Sequence, residues 1–200
     1  RSEFHSSRLL FSVKSNTEKQ ILCELRTQGI DGLDACSPNE VFRALECGFS
    51  PDQIHYTSSY LSELDIKQLS RFTGIHINAD SLTMLRKLSF CSEVGIRVNT
   101  MNGISYNNQE NLQCNCGGDS PAKMGIMIED MDAACKIAKE NGTSIVRLHV
   151  HFGNSYLSKD IDKFPAIVQT VQHALEICEG HGFDIREIDL GGGFGVPYQK

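Results

Sequence analysis

Gly32-Leu33-Asp34-Ala35-Cys36-Ser37-Pro38-Asn39-Glu40-Val41-Phe42-Arg43-Ala44-Leu45-Glu46-Cys47-Gly48 reads as one complete structural unit. Gly32–Ala35 is a short apolar run of strand length. Ser37-Pro38 then places a hydroxyl cap and a proline at a helix's first turn, and Glu40, three residues after Ser37, completes the pattern of a capping box. Apolar residues follow at helical spacing until Gly48 stops them. The same unit recurs along the chain. Strand-like runs are Leu9–Val13, Gly32–Ala35, Gln53–Thr57, Ile75–Asn78, Val94–Val98, Ile145–Val150 and Ile185–Leu190. Segments 17–29, 38–48, 62–71, 81–90, 130–141 and 160–181 carry the helical period between them, and Gly29, Gly48, Gly74, Gly142 and Gly182 stand where helices should end.

Strict β-α alternation with no hairpin signal predicts parallel strands covered by helices. A doubly wound sheet usually has five or six strands. A (β/α)8 TIM-type barrel has eight strands in about 250 residues. About seven units in 200 residues predict an α/β fold of the barrel kind, truncated by its last unit. Residues 1–8 are polar and aperiodic, and are expected to be a disordered or cut segment ahead of a barrel domain at 9–200. Because the chain opens on Arg1 and stops at Lys200 just after a glycine-rich turn, both ends read as cut. The irregular stretch 100–122 is too long for an idle connection and predicts a functional loop.

Composition narrows the function class. With 40% hydrophobic and 22% charged residues, the chain can bury one sizeable core. A net charge of −6, with lysines and arginines scattered, predicts no nucleic-acid partner. No run approaches a membrane span and no signal-peptide pattern opens the chain, so a soluble, cytoplasmic protein with no membrane association is expected. Most of the 8 cysteines sit in apolar segments, as reduced core cysteines do. Cys114-Asn115-Cys116 lies in a polar loop but lacks a second close pair, so no metal is expected.

In a barrel the chemistry sits at the C-terminal ends of the strands. Polar residues collect there: Lys14 after the first strand, Asp34 at the end of the second, Asn78-Ala79-Asp80 after the fourth, Arg97-Val98-Asn99 after the fifth, His149-Val150-His151 after the sixth, and Asp189 to Gly195 after the seventh. Lys14 follows Leu9-Leu10-Phe11, so its stem would start in the interior and its amine would reach the mouth. A desolvated amine can lose its proton and condense with a carbonyl; a solvated strand-end lysine is the other reading. Gly191–Gly195 lets backbone N–H groups approach an anion, or is simply a tight turn. His149 and His151, two apart and so on one face, could bind a divalent metal, stack on a flat ligand, or pack as core.

Six collinear stretches carry a resemblance. Phe11-Ser12-Val13-Lys14-Ser15-Asn16 resembles Y-A-V-K-A-N of the PLP-dependent diaminopimelate/ornithine/arginine decarboxylase family, whose barrel is like that of alanine racemase. Leu33–Glu40 is similar to F-D-x-x-S-x-x-E, His76–Ser81 to x-x-N-x-D-S, and Ala122–Ile126 to S-K-F-G-I. Leu148–Gly153 is similar to L-H-x-H-I-G, and Asp189–Gly195 to D-L-G-G-G-F-G. The resemblance implies pyridoxal 5'-phosphate as cofactor, with Lys14 bound to it covalently and His151 stacked on its ring. Gly192 and Gly193 would cradle its phosphate, and Asn154 replaces the family's phosphate-binding serine, with Ser155 next door. Asp34, Glu40 and Arg97 match polar positions around it. It also implies a small amino-acid substrate, with diaminopimelate-like slightly favoured over ornithine-like, and a homodimer sharing its active site. The family's E-P-G-R motif and C-terminal β-domain would follow Lys200, so the 200 residues alone are expected to be an inactive fragment. A non-catalytic regulatory binding protein and a PLP-dependent amino-acid racemase fit the same motifs. A metal-dependent amidohydrolase fits them poorly.

Overall fold

The computed structural model describes residues 6–101, 124–151 and 153–195. The expected loop 100–122 and the pair Cys114/Cys116 lie almost wholly outside the described residues. Two compact units divide the chain, residues 1–78 and 79–200.

The first unit contains β1 (Leu10–Ser12), α1 (Lys19–Thr27), β2 (Gly32–Ala35), α2 (Pro38–Glu46), β3 (Ile54–Thr57) and α3 (Glu63–Leu69), and it closes with β4 (His76–Ala79). Neighbouring strands pair in parallel, with Ser12 opposite Asp34, Asp34 opposite His55 and Thr57 opposite Asn78. Helix α2 forms as its sequence demands. Ser37 caps it, Pro38 fills the first turn, and Val41 and Ala44 face inward fully buried against Leu33, Ala35 and Ile54 in the unit's core. Burial of the larger of these side chains, Val41, Leu33 and Ile54, contributes about 1.5–3 kcal/mol each. Helix α3 carries a full capping box, in which Ser62 N–H donates to Asp65 Oδ2 (2.9 Å) and Asp65 N–H donates to Ser62 Oγ (3.1 Å).

The second unit contains α4 (Leu82–Lys87), β5 (Glu93–Arg97), α5 (Met131–Asn141), β6 (Ser144–His149), α6 (Phe164–Gly180) and β7 (Glu187–Asp189). Strands β5, β6 and β7 are again parallel, with one register shift at Val94/Gly95. Their apolar residues Val94, Ile96, Ile145 and Leu148 are fully buried, as are Ala134, Cys135 and Ala138 of α5 and Ala174 and Cys178 of α6. Seven parallel strands alternating with helices are the α/β barrel-type pattern that the sequence predicts. No helix of the described residues is long and apolar enough to cross a membrane.

Candidate cofactor site

In the first unit, Lys14 sits in the 3-10 turn Val13–Ser15 that begins where β1 ends. The turn is closed by Ser15 Oγ–H donating to Ser12 O (2.7 Å) and Asn16 N–H donating to Val13 O (3.0 Å). Val13 is fully buried, while Lys14 is exposed. A desolvated stem was the expectation. The strand stops one residue early, and the tight turn sends Val13 inward and Lys14 to solvent.

Asp34 belongs to a hydrogen-bonded line across three strands. Asn78 Nδ2 donates to Thr57 Oγ1 (2.9 Å), and Thr57 Oγ1–H donates to Asp34 Oδ1 (3.1 Å). Glu40 completes only half of the expected capping box. Its N–H donates to Ser37 Oγ (3.4 Å), but its carboxylate turns to Cys36, accepting from the backbone N–H (2.8 Å) and from the thiol (3.2 Å). Cys36 offers two donors to the two carboxylate oxygens, and Ser37 N–H offers one. Burial, then the Glu40 hydrogen bond, pushes the Cys36 thiol up to about 11, against a lowering influence of the nearby Lys14 ammonium.

In the second unit, charged groups form a row at the strand ends. Arg97 is opposite His149, and His149 is opposite Asp189, in the parallel register. Asp80, just past β4, lies 3.4 Å from Arg97, both about 5% exposed. Burial raises the Asp80 carboxyl above its ordinary range, although Arg97, the Gly125 amide and His149 all pull it down. His149 Nδ1 lies 2.9 Å from Asp189 Oδ2. His151 follows β6 and is half-buried.

The glycine run is a turn laid against the segment after β6. Asp189 Oδ1 accepts from Gly191 N–H (2.8 Å), and Asp189 O accepts from Val150 N–H (2.9 Å). Glycine is required at Gly191 and Gly193. Their φ values are +68° and +101°, and a Cβ would come 2.6 Å from Val150 O in one case and 2.1 Å from Gly153 O in the other. A Cβ on Gly191 would also stand 3.1 Å from His151 Nδ1, so that imidazole borders the turn. Gly192 differs, because a Cβ there would meet nothing within 4 Å and its φ is ordinary. Nothing in the packing of the described residues asks for glycine at that position. Among the described residues, neither the Gly192 nor the Gly193 N–H has a hydrogen-bond partner. Asn154 is exposed at the adjoining turn, and its neighbour Ser155 takes φ +54°.

The whole chain, residues 1–200, matches the pyridoxal-binding domain of the pyridoxal-dependent decarboxylases. The chain belongs to that family. It is 32% identical over 201 residues to the diaminopimelate decarboxylase of Methanothermobacter thermautotrophicus, which covers 98% of this chain and 45% of the relative. It is 28% identical over 197 residues to the Escherichia coli diaminopimelate decarboxylase, with 95% and 44% covered. The crystal structure of the Helicobacter pylori diaminopimelate decarboxylase complexed with L-lysine superposes with a TM-score of 0.86 at 24% identity, covering 99% of this chain and 51% of that one, and thus shares its fold. The chain spans about half the length of the curated relatives it matches.

The cofactor of this decarboxylase domain is pyridoxal phosphate. The second unit's residues fit it. A Gly192 position where a Cβ would meet nothing within 4 Å, and two amides without a hydrogen-bond partner among the described residues, suit a phosphate dianion, and a half-buried imidazole stands beside the turn. Among the described residues no group of three or more His, Cys, Asp or Glu is placed to hold a metal ion. Reading along the chain missed Thr57 as the link between Asp34 and Asn78, the partnership of Asp80 with Arg97, and Tyr156. The first two depend on register between strands. Tyr156, though, was visible as a large polar aromatic two residues beyond Asn154.

Proposed function

We propose that the protein is a pyridoxal-phosphate-dependent amino-acid decarboxylase, a carboxy-lyase acting on a diaminopimelate-like substrate. The observation that carries the reading is the glycine turn with its opening at Gly192. Backbone amides with no hydrogen-bond partner among the described residues, beside a position where a Cβ would meet nothing within 4 Å, have a use if an anionic group binds. The substrate class follows from the names of the relatives at 32% and 28% identity and from the Leu148-His149-Val150-His151 stretch.

When bound, pyridoxal phosphate supplies an electron sink for the pair released as the substrate carboxylate departs as CO2. The chain's residues bind and orient. The Gly192 and Gly193 amides would hold the phosphate, assisted by Asn154, and His151 would offer its imidazole to the cofactor's ring. Lys14 provides the amine that carries the cofactor, and its exposure leaves it accessible. Asp34 is held by Thr57, its carboxylate aimed by a hydrogen bond rather than left to rotate. Arg97 neutralises Asp80, so the row at the strand ends keeps a fixed distribution of charge. The assembled enzyme is a homodimer in the cytoplasm, a setting that agrees with the six free cysteines among the described residues.

Titrating the full chain with pyridoxal phosphate tests this. The native chain should develop a visible absorbance band that Lys14→Ala abolishes, and CO2 release from diaminopimelate is expected of the enzyme assembled over its relatives' whole length, not of these 200 residues alone. An unchanged band in Lys14→Ala would reject the assignment of the lysine. Turnover of ornithine in preference to diaminopimelate would reject the substrate class.

A further inference from the structure

We propose that the Tyr156 hydroxyl is a positioning group for phosphate capture: it holds the Gly192 carbonyl and thereby turns the Gly193 N–H toward the open side of the glycine turn. This rests on the reading of that turn as the phosphate cradle.

Tyr156 lies outside all six family-like stretches, yet it meets the glycine turn at three points. Its hydroxyl donates to Gly192 O (3.3 Å), its backbone N–H donates to Gly193 O (3.3 Å), and its carbonyl accepts from Gly195 N–H (2.8 Å). The last two continue the β6–β7 pairing past the strand ends as an isolated parallel bridge between Tyr156 and Phe194. The ring packs between Phe194 (centroids 5.0 Å apart) and Phe164 (5.6 Å), and the residue is 6% exposed.

The geometry of the peptide unit does the rest. The bond joining Gly192 and Gly193 is trans, so its C=O and N–H point to opposite sides of the chain. A carbonyl drawn to the Tyr156 hydroxyl therefore sends the Gly193 N–H away from Tyr156. The plane of this peptide is unusually free to flip about the ψ of Gly192 and the φ of Gly193, because neither flanking residue has a Cβ to restrict it, and Gly193 sits at φ +101°. Without the hydroxyl, that amide has no other described group to set its direction. Burial holds the hydroxyl above its ordinary pKa, so it remains a protonated donor at neutral pH. The aromatic packing alone does not require the oxygen; phenylalanine would fill the same space between Phe164 and Phe194.

The test compares two ligands that differ only in the phosphate. Dissociation constants for pyridoxal phosphate and for pyridoxal are measured on the full chain, native and Tyr156→Phe, with the thermal midpoint of each protein. The native chain should prefer pyridoxal phosphate. Tyr156→Phe should weaken pyridoxal phosphate about tenfold, the order expected for one hydrogen bond serving a charged ligand, and leave pyridoxal within about twofold. Equal weakening of both ligands would make Tyr156 a structural residue and overturn the proposal. An unchanged preference in Tyr156→Phe would overturn it as well. If the native chain itself binds the two ligands alike, the phosphate-cradle reading fails first, and this inference with it.

Discussion

The two units bury their polar side chains by opposite means. Residues 1–78 use a hydrogen-bonded line that ends in one carboxylate, Asn78 to Thr57 to Asp34, and leave Lys14 exposed at the end of β1. Residues 79–200 set ionisable groups against each other: Asp80 with Arg97, Arg147 with Glu187 (3.1 Å) and His149 with Asp189. A hydrogen-bond link contributes about 1 kcal/mol net. Taking one partner from a buried ion pair costs about 3–5 kcal/mol, since the other charge is stranded. The difference teaches where rigidity is needed. The glycine turn is held by Asp189, a member of the row at the strand ends, whereas Lys14, the lysine proposed to hold the cofactor, stands exposed in a short turn.

The largest effect should come from breaking the charged row. Arg97→Leu leaves Asp80 buried without its cation and should lower stability by about 3–5 kcal/mol in denaturant unfolding. The loss should depend on pH with a definite sign. The Asp80 carboxyl is already raised in the folded chain, so it favours folding below its unfolded pKa and ceases to do so as pH rises through its folded pKa. Removing Arg97 raises it further, so the gap between variant and native chain should narrow as pH falls into the carboxylate range. A gap constant with pH would mean that Arg97 contributes by packing alone.

Next in size is the contrast within the glycine turn. Gly193→Ala must move the Gly153 carbonyl, which lies 2.1 Å from the new Cβ, and must hold alanine at φ +101°. It should cost more than about 2 kcal/mol. Gly192→Ala should stay within about 0.5 kcal/mol of the native chain and still weaken pyridoxal phosphate, because its Cβ enters the opening. Equal destabilisation by the two would show that the opening at Gly192 is not there.

Much of this architecture was legible from one dimension. The Ser37-Pro38 start, the glycine stops and the 2-to-3.6 alternation of periods placed the seven strands and six α-helices of the described residues, with ends that moved by a few residues. The site was legible as residue types at strand ends. What escaped depends on contacts between strands. Whether Arg97 faces Asp80, or Thr57 faces Asp34, is decided by parallel register, which no local pattern encodes. Glu40 shows the limit within a single turn: its spacing from Ser37 fits a capping box, yet a thiol and an amide on Cys36 compete for the carboxylate and win. Lys14 shows another, because a strand ending at Ser12 instead of Val13 exchanges an interior stem for an exposed one.

The hydrogen-bonded line of the first unit should respond more mildly. Thr57→Val removes both the donor to Asp34 and the acceptor for Asn78, and should cost about 1–2 kcal/mol by chemical denaturation. A loss as large as that of Arg97→Leu would erase the distinction between the units. The smallest effect belongs to an exposed pair. His181 Nε2 lies 2.6 Å from Asp132 Oδ1, and that contact lowers the Asp132 carboxyl pKa. Any stabilisation it gives is present above the unfolded pKa of Asp132 and lost as pH falls through the folded one. Solvent screening leaves little of it, so Asp132→Asn should not change the unfolding midpoint measurably.

The central claim is that Lys14 carries pyridoxal phosphate. Borohydride reduction of the full chain after loading with pyridoxal phosphate, followed by peptide mass mapping, tests it most directly. The account predicts one pyridoxyl-phosphate adduct on the peptide that contains Lys14, absent from Lys14→Ala. A stoichiometric adduct on another lysine, such as Lys19, with Lys14 unmodified would contradict it.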